Sequence, residues 1–440
     1  MSTSTYIDQP RVVCALGALE SVLAIDRAVP VLHAGPGCSS KLSSAIGGLN
    51  GCQGSGYIGS HLIPCTNLGE KEVVFGGNER LADVIENSLK VIDGDLYIVL
   101  SGCTPEIVGD DVAEVVKRFA DAEKPVIFAE TAGFKGNNLK GHELVVNAII
   151  EQYLKPAETK NSKQVNIWAT VPFYDPFWVG NFKEIELLVR ELGLEPNIVF
   201  GPKRGLTALN KVPAAAFNLL LSPWVGLENV KLLEEKFGTP YLHIPVLPIG
   251  PTATSAFLRT LSQYAGIDSQ LTEEVINRHE DEYYYFIERA ADELLETRLL
   301  PRRFVTLTNS AYALGIAKYL INDMGLLPET QFIIDGTPEE HQENIRQEFQ
   351  KIIDGYEVPV VFTEDGGWAQ QEIRKIPFVG KPLIFGSAWE RTFTEELDGY
   401  HLSVSAPVSD RMVLDRAYFG YRGALRLLED IYTVILSDFQ

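Results

Sequence analysis

The chain has 440 residues, 45% of them hydrophobic and 22% charged, and its 38 Lys and Arg face 59 Asp and Glu for a net charge of −21. That length exceeds one ordinary core and predicts several folded units. The apolar content excludes a disordered chain, and the acidic balance opposes broad contact with nucleic acid or an anionic membrane surface.

Residues 1–11 contain no apolar leader core, and nowhere do about 18 uncharged apolar residues run together, so a cytoplasmic protein without membrane spans is expected. Short β-branched runs alternate with helical periodicity from end to end. That alternation predicts an α/β fold of three Rossmann-like domains, each a doubly wound, mostly parallel sheet. In the first domain, 1–158, strands are predicted at 29–33, 96–100 and 125–130, with helices at 81–91 and 107–119. The polar stretch 155–163, which contains Pro156, separates it from a middle domain, 159–299. There the pattern predicts strands at 165–170, 197–200, 215–220 and 241–246, a helix at 181–192 and a long acidic helix at 272–297. The C-terminal domain, 300–440, reads as strands at 304–307, 331–334, 359–363, 383–385 and 401–405, with helices at 311–324, 338–353 and 416–436.

All five cysteines precede residue 104. An odd number in a chain with no leader argues against a disulfide framework, and thiols that merely filled cores would be scattered. Cys14, Cys38 and Cys103 stand in Val13-Cys14-Ala15-Leu16-Gly17, Gly35-Pro36-Gly37-Cys38 and Ser101-Gly102-Cys103-Thr104-Pro105, each beside glycine or proline at an apparent strand-to-helix turn. Ligands of open parallel sheets gather outside the carboxyl ends of the strands, so the thiols are expected to converge. Helix N-termini would offset thiolate charge, and Gly35, Gly37 and Gly102 would leave room for an inorganic core. Separations of 24 and 65 residues match neither zinc knuckles nor ferredoxin runs. Three thiols leave a cluster one ligand short, which points to a second subunit and an interface site. Cys52 and Cys65 are read as structural or supporting.

No Gly-x-x-x-x-Gly-Lys-Ser/Thr accompanies Gly35-Pro36-Gly37, so nucleotide hydrolysis is assigned to a partner. Glu70, Glu72, Glu106, Asp110 and Asp111 are read as helix caps, ion pairs or solvated surface rather than as a paired-carboxylate hydrolase. Gly76-Gly77 is read as a turn with close backbone packing.

At these residues the chain resembles the component 1 proteins of the nitrogenase superfamily. The matching segments are Cys14 with Gly17, His33-Ala34-Gly35-Pro36-Gly37-Cys38, Glu70-Lys71-Glu72-Val73-Val74-Phe75-Gly76-Gly77 and the run from Cys103 to Asp111. A weaker likeness continues through Val179-Gly180-Asn181-Phe182 to Tyr418-Phe419-Gly420-Tyr421-Arg422-Gly423. The resemblance implies a β-type subunit in an α2β2 heterotetramer. Cys14, Cys38 and Cys103 would be its ligands to an [8Fe-7S] P-cluster shared with the α-type subunit. A transient, ATP-hydrolysing iron protein homodimer would supply electrons. A second iron–sulfur cofactor would lie in the partner only, because that cofactor needs a middle-domain cysteine and this chain has none beyond Cys103. His243, His279, His341 and His401 are accordingly read as structural or surface histidines.

The chain lacks the longer N-terminal extension and the His-Gly-x-Gln-Gly-Cys segment of conventional β subunits. It also has Gly133 where molybdenum enzymes place a serine that can ligate the oxidised cluster. These departures favour a nitrogenase-like reductase of the methylthio-alkane type, which cleaves C–S bonds, over a dinitrogen-reducing β subunit. A cofactor-assembly scaffold, whose β-type member retains fewer cluster cysteines, is the other alternative. The protochlorophyllide reductases, with an aspartate ligand on the B-type side, rank lower.

Overall fold

The computed structural model describes residues 6–53, 63–291, 299–353 and 356–439. Thirteen strands are seen among them: β1 (Ala28–His33), β2 (Leu96–Ser101), β3 (Val126–Glu130), β4 (Asn161–Trp168), β5 (Glu195–Asn197), β6 (Ala215–Leu221), β7 (Tyr241–Ile244), β8 (Arg303–Thr308), β9 (Leu327–Pro328), β10 (Gln331–Ile333), β11 (Val360–Phe362), β12 (Leu383–Gly386) and β13 (Tyr400–Ser403). They form three sheets with orders β1-β2-β3, β5-β4-β6-β7 and β11-β10-β8-β12-β13, with β9 pairing β8 off the last path. All pairings are parallel. In the second and third sheets the first strand lies inside the order, with later strands added on either side. That is the doubly wound arrangement with a switch point beside β4 and β8. The first sheet runs in one direction only, and the far edge of β1 receives a single parallel bridge from Cys65 to Leu32.

Every residue of β1 and β2 is buried, as expected of parallel strands covered on both faces. Alternation decides which core each side chain enters. Val29, Val31, Tyr97 and Val99 pack with Leu81, Ile85, Val112 and Val115 on one face, whereas Leu32, Ile98 and Leu100 enter a core continuous with the other two units. The first sheet is therefore anchored to the rest through one face, leaving its strand ends free to present loops.

The predicted strands lie within a few residues of observed ones, with one shift: a strand is predicted at 197–200 and β5 occupies Glu195–Asn197; the short β9 has no predicted counterpart. The helix predicted at 107–119 is two helices, Cys103–Val108 and Val112–Lys117, because Gly109 ends the first in the left-handed conformation (φ 83°) and Asp111 caps the second by accepting from the Glu114 N–H at 2.9 Å. The long acidic helix is described over Ser269–Ala291, and the expected continuation through 292–297 falls outside the described residues. Among the described residues no helix is long and apolar enough to cross a membrane.

Candidate metal centre

β1, β2 and β3 lie side by side, so the segments leaving their carboxyl ends emerge on one rim. From β1 the chain turns at Ala34-Gly35 into the helix Pro36–Leu49, placing Cys38 in its first turn. From β2 it passes Gly102 directly into Cys103–Val108, so Cys103 is the first helical residue. From β3 it reaches the short helical turn Gly133–Lys135. Cys14 does not follow a strand of any sheet, contrary to the sequence expectation. It forms an isolated antiparallel bridge with Asn137 and opens the short turn Ala15–Ala18. The 14-residue helix behind Cys38 supplies an aligned macrodipole. The turns behind Cys14 and Cys103 span only four and six residues, so the helix argument applies to Cys38 alone.

Cys14, Cys38 and Cys103 are all exposed. Gly133 stands between two of them: a Cβ built on it would lie 3.1 Å from the Cys14 Cβ and 3.2 Å from the Cys103 Sγ, and 3.7 Å from the Cys14 Sγ. Its N–H donates to the Cys103 Sγ at 3.1 Å. Burial, followed by the neighbouring Cys14 and Cys103 thiols, pushes the Cys38 thiol up, which puts Cys38 within electrostatic reach of the other two. Among the described residues, no three His, Cys, Asp or Glu side chains are disposed to hold a single metal ion. The donor set is three exposed thiols, two of them flanking a glycine, suited to a group that takes further ligands from outside the chain.

Two of the three glycines have open space beside them. A Cβ on Gly37 would meet nothing within 4 Å, and one on Gly35 only the Leu68 carbonyl at 3.9 Å. Gly102 is needed for a different reason: a side chain there would strike Ala34 at 2.9 Å, so this glycine lets the β1 and β2 exits touch. Gly133, the residue that makes space between thiols, stands out in the sequence only for lacking a side-chain ligand.

A buried network fixes the rim from behind. His33, at the end of β1, places Nε2 3.0 Å from the Asp110 Oδ2 and Nδ1 3.2 Å from the Thr66 Oγ1. The other Asp110 oxygen accepts from the Gly77 N–H at 2.8 Å, and a Cβ on Gly77 would collide with both Asp110 and His33. Burial lowers the His33 pKa and Asp110 opposes it. Glu106 accepts from the Ser101 Oγ at 2.5 Å and the Ala132 N–H at 3.2 Å, and pairs with Lys135 at 2.8 Å, tying the Cys103 helix to the Gly133 turn. Glu72 accepts from the Gly69 N–H. The carboxylates thus cap and brace, as the sequence suggested. His33 and Thr66 carried no predicted role, and only the position of His33 at a strand end could have signalled one.

Cys65 is half-buried under the Cys38 loop, its Sγ 3.4 Å from the Ala34 carbonyl, and burial raises its pKa. Cys52 is exposed at a positive φ of 57°, beside Gly51, whose carbonyl accepts from the Val413 N–H of the third unit. His243 and His401 contact the carbonyls of Ser222 and Ser387, His279 pairs with Glu191 and stacks on Tyr421, and His341 stacks on Trp224. All four have structural contacts.

Large apolar side chains surround the thiols. Val74, Phe75, Ile107 and Phe134 are 71%, 81%, 73% and 62% exposed. Ile107 lies in the helix opened by Cys103, Glu70–Phe75 packs against that helix, and Phe134 follows Gly133. Cavities lie elsewhere. One of about 750 Å3 beside Val12 and Lys135 is walled by Lys140, Glu143, Trp224 and His341, and one of about 860 Å3 near Glu184, Phe286 and Arg422 has no cysteine or histidine in its walls.

A three-sheet α/β subunit with a thiol-bearing rim has clear relatives. The described fold superposes on a chain of "Nitrogenase Cp1 at pH 6.5" with a TM-score of 0.82, covering 100% of this chain and 95% of that one at 21% identity. The model of the family "Nitrogenase component 1 type Oxidoreductase" matches residues 14–436, and the chain belongs to that family as a β-type subunit. It is 25% identical over 469 residues to the nitrogenase molybdenum-iron protein beta chain of Methanococcus maripaludis, covering 99% of this chain and 96% of that one. It is also 25% identical over 376 residues to a light-independent protochlorophyllide reductase subunit from Angiopteris evecta, covering 81% of this chain and 70% of that one.

Proposed function

We propose that this chain is the β-type subunit of a cytoplasmic, nitrogenase-like component 1 reductase, and that Cys14, Cys38 and Cys103 hold its half of an [8Fe-7S] P-cluster shared with an α-type subunit in an α2β2 heterotetramer. When bound, such a cluster supplies one-electron storage and transfer between a transient ATP-hydrolysing iron protein homodimer and a second iron–sulfur cofactor in the α-type subunit. The observation that carries the reading is the gathering of three exposed thiols, with Cys14 and Cys103 flanking Gly133 and Cys38 within electrostatic reach of both.

This chain's residues bind and orient. The Gly133 N–H stabilises charge on the Cys103 sulfur. The His33–Asp110 pair and Glu106 fix the backbone from which Cys38 and Cys103 project, as supporting residues do around metal ligands. Val74, Phe75, Ile107 and Phe134 supply apolar surface that protein partners would bury. We read domain boundaries near 158 and 299, consistent with the second and third sheets beginning at the fourth and eighth strands.

For the reaction, reductive C–S cleavage of methylthio-alkanes is the favoured reading. Gly133 has no side chain to add a ligand, and the His-Gly-x-Gln-Gly-Cys segment is lacking; both depart from the conventional dinitrogen enzyme. The second reading, dinitrogen reduction, is favoured by near full-length likeness to a molybdenum-iron protein beta chain. Purified complex supplied with iron protein and ATP should release a thiol and an alkane from a methylthio substrate. Ammonia from dinitrogen, with no C–S cleavage, would replace the first reading by the second. Transfer of iron and sulfide to an apo-enzyme with no turnover would indicate the scaffold.

A further inference from the structure

The helix Leu19–Leu23, which follows the Cys14 turn, carries Glu20, whose Oε2 is buried without a hydrogen-bond partner. Glu20 lines a cavity of about 100 Å3 together with Arg11, Asn138, Tyr174 and Trp389, and the Arg11 Nε is likewise buried without a partner. An orphan donor and an orphan carboxyl oxygen on residues lining one small, otherwise largely apolar cavity are polar groups that a buried water would satisfy. Asn138 connects this carboxyl to the Cys14 segment. It hydrogen-bonds Glu20, its Oδ1 accepts from the Val13 N–H at 3.2 Å, and its own backbone N–H donates to the Val13 carbonyl at 2.9 Å.

Burial pushes Glu20 up to about 8, against the opposing Asn138 bond, so the group is protonated at neutral pH. The surroundings keep the titration to this one group. Arg11 is held by Glu390 of the third unit, and burial and then Asp335 keep Tyr174 a phenol. On the helix Asn138–Ala148, His142 contacts Ser21 at 2.7 Å and is pushed by burial down to about 4, while Lys140 pairs with Glu143. From β1, His33 is engaged by Asp110.

We infer that Glu20 is a proton-holding positioning residue for the Cys14 segment, protonated while the group bound by the three thiols is reduced and deprotonated when that group loses an electron. On oxidation one electron leaves to a one-electron acceptor, the Glu20 O–H bond breaks and its proton passes through the cavity to solvent. On reduction by a one-electron donor, a proton from solvent re-forms that bond. The resulting carboxylate offsets the positive charge gained nearby. This inference rests on the cluster assignment above.

Two measurements on the anaerobic αβ complex test it. In the cluster-free complex, the infrared difference between wild type and Glu20→Gln should show a carboxylic-acid carbonyl band that disappears as pH rises through about 8. Its absence at neutral pH overturns the inference. In the loaded complex, redox titration followed by electron paramagnetic resonance should give a midpoint potential that falls with rising pH, and Glu20→Gln should flatten it. An unchanged pH slope in Glu20→Gln overturns the coupling while leaving the cluster assignment standing. Wild-type complex without iron and sulfide removes both, and the infrared band then reports Glu20 alone.

Discussion

At the carboxyl end of β2 the chain presents Cys103 to solvent beside Cys14 and Gly133, whereas beyond β4 and β8 Thr170, Asp175, Ser310 and Tyr312 close on one another around a gap of about 40 Å3. Asp175 accepts from the Tyr312 hydroxyl at 2.9 Å, the Asn181 amide at 3.0 Å and the Phe177 N–H at 2.8 Å. Asp335 accepts from both the N–H and the hydroxyl of Ser310. The strand-end crevice is where open parallel sheets ordinarily take ligands. Two of these crevices are filled with buried, largely hydrogen-bonded polar groups, and the third is left as three exposed thiols with exposed apolar side chains nearby. One architecture thus yields a sealed structural junction and an unsealed rim of exposed thiols.

The contrast breaks if mutation at the two places has the same consequence. Asp175→Ala takes away the acceptor of the Tyr312 hydroxyl and one of the two acceptors of the Asn181 amide, and should destabilise the cluster-free protein by about 3 kcal/mol in thermal unfolding. Cys103→Ala at the exposed rim should change stability by less than about 1 kcal/mol.

Glu20 gives a pH test between these extremes. Its folded-state pKa, about 8, lies above the ordinary carboxyl value, so the folded state holds the proton more tightly and wild type loses stability as pH rises from about 4.5 to about 8. Glu20→Gln should therefore gain thermal stability over wild type at alkaline pH and match it at acidic pH. A constant difference across pH would contradict the assignment.

His33→Ala removes one partner from the buried Asp110 carboxylate and should lower stability by about 2 kcal/mol, read by thermal unfolding. Gly133→Val should lower iron content per complex at a stability change of about 1 kcal/mol, because the side chain enters the space between Cys14 and Cys103. Phe75→Asp, on a residue 81% exposed, should leave stability within about 0.5 kcal/mol yet weaken a protein partner's binding by about tenfold, measured by titration calorimetry.

Strand positions were legible in the sequence because parallel strands buried on both faces are continuous apolar runs, as in Ala28–His33 and Leu96–Ser101. The thiols were legible from clustering and neighbouring glycines. Three things were not. The bridge from Cys14 to Asn137 joins segments far apart in sequence with no local signal. The Gly109 stop inside a run of helical periodicity was overridden by the pattern around it. The role of Gly133 depends on which side chains its missing Cβ would meet, and those contacts exist only after the first sheet is assembled.

The central claim is that three thiols on one rim carry this chain's share of an interface cluster. Iron and acid-labile sulfide in the anaerobically purified complex with the α-type partner measure it most directly, for wild type and for a variant with Cys14, Cys38 and Cys103 all replaced by alanine. A brown wild-type complex is expected, with loss of the shared cluster's iron and sulfide in the variant while the protein stays folded. Wild-type complex free of iron, or a variant with undiminished iron and sulfide, would contradict it.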